Sequence, residues 1–79
     1  MIDNSCMYCG TTQNLQMHHI IYRSHGGSNE DENLICLCWR HHAAVHNDPQ
    51  FMIQILNSLK GSEHWRWDDS YNYMISVYG

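Results

Sequence analysis

Six of the chain's seven histidines fall between residues 18 and 46, as the doublets His18–His19 and His41–His42 and the singles His25 and His46. Histidine is the commonest metal ligand and also a general base near neutral pH, so spacing decides which job each residue can do. His42 and His46 stand four residues apart, which on a helix stacks both rings on one face, a sound geometry for two ligands of one ion. Cys6 and Cys9 form C-x2-C, the spacing that lets two thiolates of one tight turn take adjacent corners of a tetrahedron. Cys38 and His41 add a C-x2-H pair, and the four together make a closed Cys3His set of the structural zinc type.

Cys36 competes for the same role, because on a strand it shares a face with Cys38. It is more simply read as a small core hydrophobe. Two disulfides are the other arithmetic option for four cysteines, but in a reducing compartment this pattern points to metal. A zinc ion held by Cys6, Cys9, Cys38 and His41 would tie the N-terminal knuckle to a distant part of the chain. For a domain of 79 residues, whose core is limited by its surface-to-volume ratio, such a tie is a folding staple.

The elements that must position these groups follow from the local pattern. "LQMHHIIY" (residues 15–22) is rich in β-branched and aromatic residues and is predicted as a strand. There His18 and His19 would leave opposite faces. "RSHGGSNEDEN" is polar and glycine-rich, a surface loop, and "LICLC" is a short apolar second strand. "WRHHAAVH" carries helix formers and ends at "NDPQ". The next helix has the clearest bounds, with Asp48 as N-cap, Pro49 in the first helical position and Gly61 after its end. Phe51, Met52, Ile55, Leu56 and Leu59 give it one apolar face. The tail supports two readings: Asp69 or Ser70 suits a helix cap, whereas Tyr71, Tyr73, Ile75 and Val77 alternate as in a strand. Trp65, Trp67 and the tail tyrosines are expected to cover a thin core.

Composition sets bounds on function. The formal charge is −4, and only Arg23, Arg40, Lys60 and Arg66 are basic. That is the opposite of a generic nucleic-acid binder, whose affinity comes from neutralising phosphates. Only bound cations would change the local balance. The N-terminus lacks the basic and apolar regions of a signal peptide, and no apolar run approaches the length of a membrane span. The chain is expected to be soluble and cytoplasmic, with no membrane partner.

Residues 6–46 resemble the HNH endonucleases whose ββα-metal core is braced by a zinc knuckle. The resemblance rests on Cys6 and Cys9, "HHI" at His18–Ile20, Gly26–Gly27, Asn33 opening "NLICLC", Cys38 and His41, and H-x3-H at His42 and His46. It implies a small α+β fold, with an N-terminal zinc knuckle and ββα-metal core over residues 6–46. A C-terminal helix and aromatic tail would follow over 47–79, all within one nuclease domain. It also implies that His18, His42 and His46 hold a catalytic divalent cation (Mg²⁺, Mn²⁺, Ni²⁺ or Zn²⁺), and that His19 is the general base that activates water. Asn33 would hold the inter-strand loop so that His19 is aimed. His41 stands where the family commonly has a fourth cysteine.

The function so implied is metal-dependent hydrolysis of DNA phosphodiester bonds, by nicking or double-strand cleavage, with Arg23 and Arg40 flanking the site as phosphate grips. Three imidazoles suit a borderline transition metal, whereas cellular abundance favours Mg²⁺. Small proteins of this kind resemble phage or bacterial nicking enzymes that work beside packaging or restriction-like partners, as monomers or homodimers. The acidity supports the alternative, a zinc-stapled nucleic-acid or protein binding module without catalysis. His25 and His64 fit neither metal set and are expected to be surface histidines.

Overall fold

The computed structural model describes residues 4–79. Two antiparallel strands, β1 (Leu15–His19) and β2 (Leu34–Cys38), are followed by α1 (Trp39–Asn47), α2 (Pro49–Leu59) and α3 (Asp68–Tyr78). The strand–strand–helix order is the ββα unit implied by the resemblance. Register pairs Leu15 with Cys38, His18 with Ile35 and His19 with Leu34. β2 lies in the middle of the fold and is buried over Ile35–Cys38 on both faces, whereas β1 is exposed over Gln16 and Met17 and buries His18.

The first strand is shorter than its composition suggests. Ile20 still donates its N–H to the Asn33 carbonyl (2.9 Å), but Ile21 has no strand beside it. Instead the Asn33 side chain takes both of its backbone groups: the Ile21 N–H donates to Oδ1 (2.8 Å) and Nδ2 donates to the Ile21 carbonyl (3.0 Å). One amide thus substitutes for a strand neighbour and turns the chain into its loop.

α2 begins and ends where its residues dictate. The Asp48 carboxylate accepts from the Gln50 N–H (3.1 Å), Pro49 opens the helix, and Gly61 follows its end at φ +85°. Asp48 also closes α1, its N–H donating to the Ala44 carbonyl (2.9 Å), so a single residue sets the corner between the two helices. Ile35, Leu37, Val45, Met52, Ile55, Leu56 and Trp67 are the buried centre. Cys36 is buried as well.

The tail is a helix, which decides between the two readings of residues 68–78. Its buried positions, Trp67, Ser70 and Met74, recur at helical spacing, whereas the alternating Ile75 and Val77 are both exposed. Neither Asp69 nor Ser70 caps it: the helix starts at Asp68 with both aspartates in its first turn, where carboxylates suit the positive end of the helix dipole. The segment before α3 is tied to the start of β2. Trp67 Nε1 donates to the Leu34 carbonyl (2.7 Å), and Arg66 donates to the carbonyls of Asp31 (3.0 Å) and Leu34 (3.2 Å). No helix among the described residues is long and apolar enough to cross a membrane.

Candidate metal centres and active site

The knuckle and the sheet–helix junction converge as their spacing predicts. Met7 donates its N–H to the Cys36 carbonyl (2.9 Å), which lays the C-x2-C turn against β2. Cys38 ends that strand and His41 sits in the first turn of α1. The ligand atoms of Cys6, Cys9, Cys38 and His41 all lie within 4.8 Å of one another. Cys9 and Cys38 sulfurs are 3.9 Å apart, and His41 Nδ1 lies 3.2 Å from Cys38 Sγ and 3.6 Å from Cys6 Sγ. A tetrahedral zinc with bonds of about 2.3 Å to sulfur spaces its sulfurs about 3.8 Å apart, so the set fits the ion. No disulfide joins these cysteines, and Cys36 stands outside the cluster.

The electrostatics also suit a cation. Burial alone would raise the Cys6 thiol, but the backbone amides of Cys9, Cys38 and Tyr8 and the ring of His41 outweigh it and lower the pKa to about 6. The thiolate, which is the ligand form, is thus favoured in the fold.

A second cluster forms on the other side of the same short segment. His18 from β1 meets His42 and His46 from α1, with ring centroids 5.1 and 5.0 Å away and ligand atoms within 4.8 Å of one another. His42 and His46 Nε2 are 3.2 Å apart. Tetrahedral bonds of about 2.0–2.1 Å to imidazole nitrogens place those nitrogens about 3.4 Å apart, so this trio also fits a divalent ion. Burial, then the neighbouring His42, His46 and His19, lower the His18 pKa to about 3. Burial and His46 likewise lower that of His42. Neutral imidazoles are the ligand form, and among the described residues no carboxylate joins the trio, so these three ligands leave a bound ion its full charge.

Tyr22, which the sequence offered only as a strand residue, supports this cluster. Its ring stacks on His46 with centroids 5.4 Å apart, and its hydroxyl lies 3.3 Å from His46 Nδ1. With His46 Nδ1–H donating to that oxygen, Nε2 is left with a lone pair for metal, the usual outer-shell arrangement of a histidine ligand.

Around the trio an open cleft of about 310 Å³ is lined by His18, His19, Tyr22, Arg23, His42 and His46. His19, the next residue along β1, is half-buried there, and its Nε2 lies 2.7 Å from Asn29 Oδ1. Arg23 is exposed at the same cleft. Arg40 is not brought to it: the guanidinium lies over the Trp39 ring at 5.7 Å and lines a separate hollow beside Cys9, Cys38 and His41. Its place at the start of α1 turns it toward the knuckle side.

The family comparison agrees with this geometry: residues 6–48 match the family model described as HNH endonuclease. The chain belongs to the HNH endonuclease family. The matched segment ends at Asp48, so it contains both metal clusters, His19 and Asn33 but neither α2 nor α3. No curated protein and no solved structure matches the chain.

In this HNH protein Asn33 is buried and saturated. Besides its two bonds to Ile21, Nδ2 donates to the Ser28 carbonyl (2.9 Å), and Oδ1 accepts from Ser70 Oγ (2.9 Å). Asn33 therefore fastens both sides of the inter-strand loop. Gly27 permits the closure, since a Cβ there would lie 1.8 Å from the Ile21 carbonyl oxygen. Asn29 had only its place in a polar loop in the sequence, and Ser70 stood out there only as a candidate helix cap, not as a partner of Asn33. His25 is exposed as expected, with Nδ1 3.3 Å from the Tyr73 hydroxyl, and His64 is exposed.

Proposed function

We propose that this protein is a metal-dependent endonuclease that hydrolyses DNA phosphodiester bonds. The observation that carries this reading is the meeting of His19, Arg23 and the His18–His42–His46 trio in one open cleft. Cys6, Cys9, Cys38 and His41 hold a structural zinc and take no part in the reaction. His18, His42 and His46 hold the catalytic divalent cation. When bound, that ion polarises the scissile phosphate and neutralises charge on the leaving oxygen.

The remaining chemistry belongs to the chain. The neutral imidazole of His19 accepts a proton from water while the water oxygen bonds to phosphorus. The bond from phosphorus to the leaving sugar oxygen breaks, and that oxygen takes a proton from solvent. A positioned base of this kind contributes roughly 10²–10⁴-fold. Arg23 grips a phosphate oxygen by charge-assisted hydrogen bonds. Asn33 holds the loop against which His19 is set. A net charge of −4 gives the chain little hold on DNA away from the cleft, which supports delivery to its substrate by a partner protein.

The test is incubation of supercoiled plasmid with wild type and His19→Ala at low salt, across Mg²⁺, Mn²⁺, Ni²⁺, Zn²⁺ and EDTA. Wild-type nicking that EDTA abolishes and His19→Ala lacks is the expected result. A folded, zinc-loaded wild type that binds DNA but leaves it intact with every metal would replace this reading with the binding-module one.

A further inference from the structure

We infer that Asn29 is the positioning residue for His19, fixing its proton on Nε2 and leaving Nδ1 as the nitrogen that accepts the proton from water. The inference deepens the nuclease reading and rests on it.

The contact itself sets the tautomer. Asn29 Oδ1 lies 2.7 Å from His19 Nε2, and an amide oxygen can only accept. Nε2 must therefore donate, and in a neutral ring the lone pair is then on Nδ1. The contact also fixes the ring about its long axis, because His19 is anchored at its other end by the pairing of β1 with Leu34.

Asn29 is itself held in place. The residue before it, Ser28, gives its carbonyl to Asn33 Nδ2 (2.9 Å). The backbone two residues before it, at Gly27, is pressed against Ile21 so closely that no side chain fits. The residue after it, Glu30, accepts from the Asn33 N–H (2.9 Å), so Asn29 stands between two bonds to Asn33 and its side chain reaches His19. Asn33 is buried, and its side-chain hydrogen bonds go to Ile21, Ser28 and Ser70 rather than to His19. The path from Asn33 to the reacting nitrogen therefore runs through the Ser28 carbonyl, the adjoining Asn29 side chain and His19 Nε2.

The experiment compares wild type, Asn29→Ala and Asn29→Asp, each with its zinc content verified. ¹⁵N spectra of the histidine rings give the tautomer of His19, and plasmid cleavage gives kcat and KM. Asn29 is exposed, so its truncation leaves the core intact. The expected result is an Nε2 proton on wild-type His19, its redistribution between both nitrogens in Asn29→Ala, and its retention in Asn29→Asp, which keeps an oxygen acceptor. Cleavage by Asn29→Ala should fall about 10- to 100-fold in kcat with KM little changed, the scale of loss seen when a metal-bound histidine loses the partner that orients it, and Asn29→Asp should recover most of it. A wild-type His19 protonated on Nδ1, or an Asn29→Ala spectrum and kcat equal to wild type, overturns the inference. The expected spectra together with no cleavage by any wild-type sample would uphold the contact and overturn the nuclease reading.

Discussion

Ser70 donates its hydroxyl to Asn33 Oδ1 at 2.9 Å, across 37 residues of chain. The same hydroxyl lies 3.0 Å from the Glu32 carbonyl, and Ser70 and Asn33 are both buried. Asn33 belongs to the segment that defines the family, whereas Ser70 lies on α3, beyond the matched residues 6–48. The C-terminal helix is therefore bonded to the residue that clamps the inter-strand loop.

Removing that bond should be mild, and removing its acceptor should be severe. Ser70→Ala leaves Asn33 Oδ1 with the Ile21 N–H still donating, so a loss of about 1 kcal/mol is expected. Asn33→Ala strands the two backbone groups of Ile21 and the Ser28 carbonyl together, leaving the Ser70 hydroxyl only the Glu32 carbonyl, for a loss on the order of 3 kcal/mol. In a chain of this size each kcal/mol lowers the melting temperature by roughly 4–8 °C. Thermal melts of the zinc-loaded variants check the ranking, and equal melts would deny Asn33 its central place.

Acid should destabilise the fold through His18. Its ring has a pKa of about 3 in the folded chain, held down by burial and by His42, His46 and His19, against 6.5 when unfolded. Above pH 6.5 both states are neutral at this ring and it contributes no pH dependence. Between pH 6.5 and 3 the unfolded chain binds a proton that the folded chain excludes, so stability falls as pH falls, by about 1.4 kcal/mol per unit at most. From pH 7 to pH 5 that amounts to about 2 kcal/mol. Urea unfolding with one equivalent of zinc should show this loss in wild type and a smaller one in His18→Leu. The other acid-sensitive ligands are common to both proteins and cancel in the comparison.

What the sequence made legible was governed by local rules. Asp48, Pro49 and Gly61 mark α2 because capping and φ preferences act within a few residues. The Cys3His grouping and the His42–His46 pair were legible because ligand spacing is itself geometric, C-x2-C and C-x2-H on turns and H-x3-H on a helix, whereas the place of His18 beside that pair came only with the family resemblance. The helical identity of residues 68–78 was not, since Tyr71, Tyr73, Ile75 and Val77 imitate a strand. The deciding pattern, Trp67, Ser70 and Met74, includes a serine whose burial is compensated only by partners far along the chain.

The misplaced expectation at Arg40 has a similar origin. Adjacency to His41 and His42 could not say which side of α1 the residue takes, and a helix sends neighbours about 100° apart. Tyr22 and Asn29 lie in or beside the loop, where no periodicity indicates what a side chain reaches. Their contacts with His46 and His19 run across the loop rather than along it, beyond what local sequence pattern reports.

The two metal clusters should separate cleanly by mutation. Cys38→Ala removes a buried ligand from the set that ties knuckle to sheet, and folding free energy in such domains depends on the ion. It should lose bound zinc and cooperative unfolding. His42 is half-buried and borders the open cleft, so His42→Ala should keep one zinc per chain and a melting temperature close to wild type while cleavage is abolished. Metal analysis after dialysis, beside thermal melts, reads both. A chelator strong enough to strip the knuckle should unfold wild type and His42→Ala alike. Similar melts for Cys38→Ala and His42→Ala would contradict the division of labour.

The adjacent glycines of the loop should differ in what they tolerate. Gly26 has φ +90° and open space where a Cβ would go, so Gly26→Ala carries only the cost of a left-handed backbone, roughly 1–2 kcal/mol. At Gly27 the added carbon would meet the Ile21 carbonyl oxygen at 1.8 Å and Asn33 Nδ2 at 2.9 Å. Those are the two atoms of the hydrogen bond that closes the loop, so the alanine cannot enter without parting them. Gly27→Ala should therefore lose at least twice the stability of Gly26→Ala in urea unfolding. It should also lose far more cleavage, because displacing Ser28 and Asn29 releases His19. If Gly26→Ala proved the more damaging of the pair, the tight approach of Gly27 to Ile21 would not be what holds this loop.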